Sequence, residues 1–126
     1  MPSTVLIVED DPELGSIFYE ILTEYIQMGL QAEWITDGQK ALARLKESVP
    51  DLVMLDLHLP GISGLDVLKY IRSDERLTKT VVIVITADIT GGRTAEELAD
   101  KVLVKPIGID QIISFVTQTL GADTDK

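Results

Sequence analysis

The sequence predicts an α/β fold, a doubly wound sheet of five parallel strands with helices on both faces. Three observations carry that expectation. The apolar runs at Val5–Val8, Ala32–Ile35, Leu52–Leu55, Val81–Ile85 and Val102–Val104 are too short for helices, and they read as buried strands. The segments that alternate with them carry apolar residues at helical spacing. The runs stop at polar residues, among them Glu9, Asp56, Thr86 and Lys105.

In chain order, Val5–Val8 breaks into Glu9, Asp10 and Asp11. Pro12 suits the first turn of a helix capped by Asp11, so Asp11 reads as a cap rather than a metal ligand. That helix shows Leu14, Ile17, Phe18, Ile21, Leu22 and Tyr25 as one stripe. Ala32–Ile35 is a weaker strand in which Trp34 reads as packing at a sheet edge. Asp37 and Gly38 lead into a helix carrying Ala41, Leu42 and Leu45, closed off by Pro50.

Leu52–Leu55 has no polar face, and Asp56 ends it. A bare carboxylate at the end of a buried strand is costly unless its charge is used. Pro60 and Gly61 then mark a tight turn, and Ser63 caps a helix with Leu65, Leu68 and Ile71 on its core face. Val81–Ile85 is the most β-branched run. After Thr86 come Gly91 and Gly92, so Ile89–Arg93 reads as a mobile loop and only Thr94–Ala99 as about two turns of helix. Val102–Val104 stops at Lys105 and Pro106. The last helix carries Ile109, Ile112, Ile113, Val116 and Leu120, with Gly121 as its C-cap. Residues 1–121 are read as one domain and 122–126 as a loose polar tail.

Composition narrows the function. With no cysteine among 126 residues, disulfides, zinc–thiolate sites and thiol catalysis are excluded, and a reducing, cytoplasmic setting is expected. No apolar run approaches the roughly 20 residues needed to cross a bilayer, and the acidic N-terminal segment is not a signal peptide. A net charge of −10, with scattered Lys and Arg, argues against direct binding to nucleic acid or an anionic membrane.

A doubly wound sheet binds its ligands beyond the carboxyl ends of its strands, where Glu9, Asp10, Asp56, Thr86 and Lys105 are all expected. Three carboxylates there repel one another, at about 4 kcal/mol for a pair 4 Å apart at an effective dielectric near 20. A hard divalent cation relieves that repulsion and takes oxygen ligands, which points to magnesium. Cation, ammonium and hydroxyl around an aspartate are the parts that stabilise a phosphoryl group in transfer. Asp56 is then the candidate nucleophile, forming an acyl phosphate.

The segments VLIVEDD, DLVMLDLHLPGISG, VVIVITA and VLVKP resemble the four signature segments of the receiver domains of two-component response regulators. The resemblance runs from Val5 to Leu120. It implies a flavodoxin-like (βα)5 fold with strand order 2-1-3-4-5, and a cis bond from Lys105 to Pro106. It implies that Asp56 accepts a phosphoryl group from a sensor histidine kinase or phosphotransfer protein. Asp10 and Asp56 would bind magnesium directly, Glu9 through water, and the backbone carbonyl of His58 would complete the shell. Thr86 would hydrogen-bond the phosphoryl group and Lys105 would pair with it. His58 and Asp88, two residues after Asp56 and Thr86, stand where the family tunes loss of the phosphoryl group. Such a protein is not an enzyme with a separate substrate. It is a phosphorylation-controlled switch that promotes its own phosphorylation and dephosphorylation and acts on a downstream protein.

Two departures bear on signalling. The position three before the lysine, usually Tyr or Phe in the family, is Val102, and the segment from Thr86 to Lys105 is shorter than usual, so the fourth helix is shortened. Thr86 with Ile89–Arg93 is therefore expected to carry the response. Phe115 lies off the core stripe beside Ile112 and reads as a partly exposed apolar residue before it reads as part of a dimer surface. Competing functions are a magnesium-dependent phosphohydrolase of the haloacid dehalogenase type, a phosphate-independent pseudo-receiver and an FMN carrier. The first would place its nucleophile on the first strand with a second acid two residues later, where this chain has His58. The last would need a Ser/Thr-rich phosphate loop after Val8.

Overall fold

A computed structural model describes residues 3–26 and 29–121. Five parallel strands form one sheet in the order β2-β1-β3-β4-β5, as the resemblance implied. The strands are β1 (Thr4–Val8), β2 (Gln31–Ile35), β3 (Leu52–Leu55), β4 (Val81–Thr86) and β5 (Lys101–Val104). The helices are α1 (Pro12–Glu20), α2 (Gly38–Glu47), α3 (Gly64–Ser73), α4 (Ile89–Ala95) and α5 (Ile109–Gly121). The expected tail, residues 122–126, lies outside the described residues.

The central strands split their side chains between two cores, as a period of two requires. Val5, Ile7, Leu52, Met54, Ile83 and Ile85 face α1 and α5, meeting Phe18, Ile21, Leu22, Ile112 and Val116. Leu6, Val8, Val53, Leu55, Val82 and Val84 face the other side, against Ala41 and Leu45 of α2, Leu68 and Ile71 of α3 and Ala95 of α4. Full burial holds for β1, β3 and β4 but not for all five runs. β2 and β5 are the sheet edges, and Val104 is exposed.

The helix starts follow their caps. The Asp11 carboxylate accepts the N–H groups of Glu13 and Leu14, Asp37 that of Lys40, and Ser63 that of Asp66. Gly61, at φ +76°, occupies the left-handed region that its turn requires. The stripe of α1 is narrower than its spacing suggests. Phe18, Ile21 and Leu22 are buried, but Ile17 is 44% and Tyr25 60% exposed. The helix widens to π form over Ile21–Tyr25, which moves Tyr25 out of line with the stripe. In α3, Val67 joins Leu68 and Ile71 in the core, whereas Leu65 is only partly buried. Gly121 is the last helical residue of α5 rather than a residue beyond it.

The fourth helix needs the largest correction. Ile89–Arg93 is not a loop but the body of α4, and Glu96 to Leu98 form only a turn. Asp88 caps the helix, its Oδ1 accepting the Gly91 N–H at 2.9 Å. A Cβ on Gly92 would stand 3.1 Å from Val102 Cγ1 and 3.5 Å from Thr86 Cγ2. The glycine pair that reads as a loop instead lets a short helix lie close on the sheet.

Candidate functional site

Backbone bonds carry the strand ladder one step past the strand ends and so fix the candidate residues on one rim. Asp56 N–H donates to the Val8 carbonyl at 3.0 Å, and Lys105 N–H to the Thr86 carbonyl at 2.8 Å. Glu9 N–H donates to the Ile35 carbonyl at 3.0 Å. Glu9 is 1%, Asp56 6% and Thr86 0% exposed, whereas Asp10 is exposed.

The Lys105 ammonium joins the rim together. Its Nζ lies 3.1 Å from Glu9 Oε1 and 3.2 Å from Asp56 Oδ2, linking the ends of β1, β3 and β5. Burial alone would lower the Lys105 pKa, but its bonds to the two carboxylates outweigh this and raise it. Burial pushes the Glu9 carboxyl up to about 7, against the Asp11 N–H that it accepts. Asp56 is held from both sides, since its Oδ1 accepts the His58 N–H at 3.1 Å. The Lys105–Pro106 bond is cis.

Carboxylate oxygens of Glu9, Asp10 and Asp56 all lie within 4.8 Å of one another. One lysine against three acids leaves an excess of negative charge, and every donor is oxygen. That donor set fits a hard divalent cation and no soft one.

Thr86 reaches the same rim, but its hydroxyl accepts the Asp88 N–H at 3.0 Å and so is engaged with its own loop. His58 and Asp88 meet across the site, with Nε2 3.2 Å from Oδ2. Two contacts were not legible in the sequence. Trp34 Nε1 donates to the Glu9 carbonyl at 2.9 Å, so this residue does more than pack at an edge. Gly64 presses α3 onto the Asp56–Leu57 backbone, where a Cβ would collide with the Asp56 carbonyl. The only signal for Gly64 was its place directly after the Ser63 cap.

Residues 5–117 match the response regulator receiver domain family. The chain belongs to that family. Among curated relatives, it is 33% identical to the polar-differentiation response regulator DivK of Brucella anthropi, across 96% of this chain and 98% of DivK. It is 32% identical to the DNA-binding response regulator MtrA of Mycolicibacterium smegmatis, across its full length but only 54% of MtrA. The chain thus spans about half the length of the MtrA relatives it matches. Among solved structures, the response regulator TrrA of Thermotoga maritima, in complex with Mg(2+)-BeF, aligns at 29% identity with a TM-score of 0.81, covering 94% of this chain and 99% of TrrA. As a receiver domain, the protein is a phosphoacceptor switch of two-component signalling. Among the described residues, no helix is long and apolar enough to cross a membrane.

Proposed function

We propose that Asp56 is the phosphoacceptor, and that Glu9, Asp10, Asp56 and the His58 carbonyl hold a magnesium ion beside it. The observation that supports this most directly is the Lys105 ammonium, bonded at once to Glu9 and Asp56 from a strand far away in sequence. In the transfer, the bond from phosphorus to a donor imidazole nitrogen breaks. A bond from phosphorus to an Asp56 carboxylate oxygen forms, and the imidazole leaves with its electron pair. Lys105 offsets the charge arriving on the phosphoryl oxygens, and Thr86 can exchange its bond to the Asp88 N–H for one to the phosphoryl group. Magnesium, when bound, supplies further positive charge at those oxygens. Phosphorylation replaces the single negative charge of the Asp56 carboxylate with an acyl phosphate of roughly −1.5 to −2 charges and so draws Lys105 and Thr86 toward Asp56.

The donor is a sensor histidine kinase or a phosphotransfer protein, and the output is a contact with a further protein. Phe115 does not argue for a second copy of the chain as that partner. It is partly buried, packed against the core of α1 and α5. The deciding experiment is intact-mass analysis after incubation with magnesium and acetyl phosphate. Wild type should gain one phosphoryl group, and Asp56→Asn none. Equal uptake by the two would place the acceptor elsewhere. Steady turnover of small phosphate esters lost in Asp56→Asn would make the protein a phosphohydrolase instead.

A further inference from the structure

The acids that gather at the rim do not hold their own backbone in place. Glu9 and Asp10 lie after β1 has ended and before α1 begins, so neither ladder satisfies the Glu9 carbonyl internally. Both backbone groups of Glu9 are instead held by the end of β2. Its N–H donates to the Ile35 carbonyl, and its carbonyl accepts the Trp34 indole N–H. Strand β2 supplies no side chain to the acid cluster, yet its last two residues fix the peptide from which two of the three acids project.

A second, independent contact fixes the indole itself. Gly15 lies inside α1, where glycine costs about 1 kcal/mol relative to alanine. It is buried, and a Cβ there would fall within the Trp34 ring, against Cε2, Cζ2 and Nε1. The helix that follows the acids thus leaves a space of one side chain, and Trp34 fills it with its N–H directed at the Glu9 carbonyl. A phenylalanine would keep most of the ring's volume but leave that carbonyl without its donor.

We propose that Trp34 is a positioning residue for the cation site, holding the Glu9 carbonyl so that Glu9 and Asp10 present their carboxylates together. As the sole tryptophan, it then reports cation binding in its emission. The inference rests on the reading of Glu9, Asp10 and Asp56 as a magnesium site.

The test uses the full chain and magnesium chloride. Magnesium should change Trp34 emission in wild type, and Asp10→Asn should abolish the response. Trp34→Phe should bind magnesium roughly three- to ten-fold more weakly by calorimetry, the effect expected from losing one hydrogen bond. Gly15→Ala, which displaces the ring but keeps the indole, should weaken binding similarly and shift the emission to longer wavelength. The indole N–H of metal-free wild type should exchange slowly with solvent, a readout that needs no variant. Magnesium affinity within twofold of wild type in a folded Trp34→Phe protein overturns the proposal, even if its melting temperature falls. Exchange as fast as that of a free indole does the same. If wild type shows no magnesium binding at all, the cation-site reading fails and takes this inference with it.

Discussion

Glu9 shows how burial and function pull against each other in one residue. Its carboxyl is raised from 4.5 to about 7, first by burial and then by the neighbouring Asp56. A carboxyl whose folded pKa lies above its unfolded value holds a proton that the unfolded chain lacks. Its contribution to stability is therefore full below about pH 4.5 and is lost as pH rises through about 7. The same proton competes with a cation. Magnesium affinity should rise roughly tenfold between pH 6 and pH 8, with a proton released on binding. Calorimetry in two buffers of different ionisation heat measures this directly. Glu9→Gln should bind with the same affinity at both pH values; a persisting slope would assign the proton to another group. Glu9, Asp56, Thr86 and Lys105 were legible because each ends an apolar run with a polar group at one rim. Trp34 was not legible, because nothing local in the sequence says which carbonyl an indole will meet.

At the scale of elements, burial explains both the accurate and the inaccurate expectations. Strands β1, β3 and β4 are covered on both faces, so composition alone revealed them. Edge strand β2 reads as the weaker run because part of it meets solvent. Helix α4 is not legible in the sequence because Gly91 and Gly92 are poor helix formers in isolation, and here close packing against Val102 and Thr86 outweighs that preference. The Asp88 cap is the feature that separates a helix from a loop. If Ile89–Ala95 is helical, Asp88→Ala should cost about 1 kcal/mol in urea denaturation and speed amide exchange at Gly91. A loop would lose almost nothing. Val102 leaves no ring to swing between the site and the surface. Gly92 lets α4 lie close over Val102 and Thr86, since a Cβ there would stand 3.1 Å from Val102 Cγ1 and 3.5 Å from Thr86 Cγ2.

Across the whole molecule, the two rims of the sheet are built for opposite purposes. The carboxyl rim gathers like charges around one lysine and leaves a carboxylate site open. The amino rim is stitched with hydrogen bonds that carry no reaction. Arg72, from the end of α3, donates to the Leu98 carbonyl at 2.7 Å, the Thr80 carbonyl at 2.9 Å and Asp100 Oδ2 at 2.8 Å. The same Asp100 oxygen accepts the Val82 N–H, and the Thr80 hydroxyl donates to the Pro50 carbonyl. One guanidinium thus ties α3, the start of β4 and the segment between α4 and β5 together, far from the acids. Its planar fork of donors cannot be reproduced by an apolar side chain. Arg72→Met should therefore cost on the order of 2–4 kcal/mol, since it removes the donor of two part-buried carbonyls and leaves the Asp100 carboxylate with only the Val82 N–H. Phosphoryl uptake from acetyl phosphate should persist at temperatures where the variant remains folded. Lys105→Met should slow uptake strongly even at temperatures where it remains folded, and it should also lose stability, because it leaves the buried Glu9 and Asp56 carboxylates without their counter-charge. Urea denaturation and intact-mass kinetics on both variants resolve the two effects. Equal losses of stability and uptake in both would mean that the rims are one cooperative unit, with no division between scaffold and site.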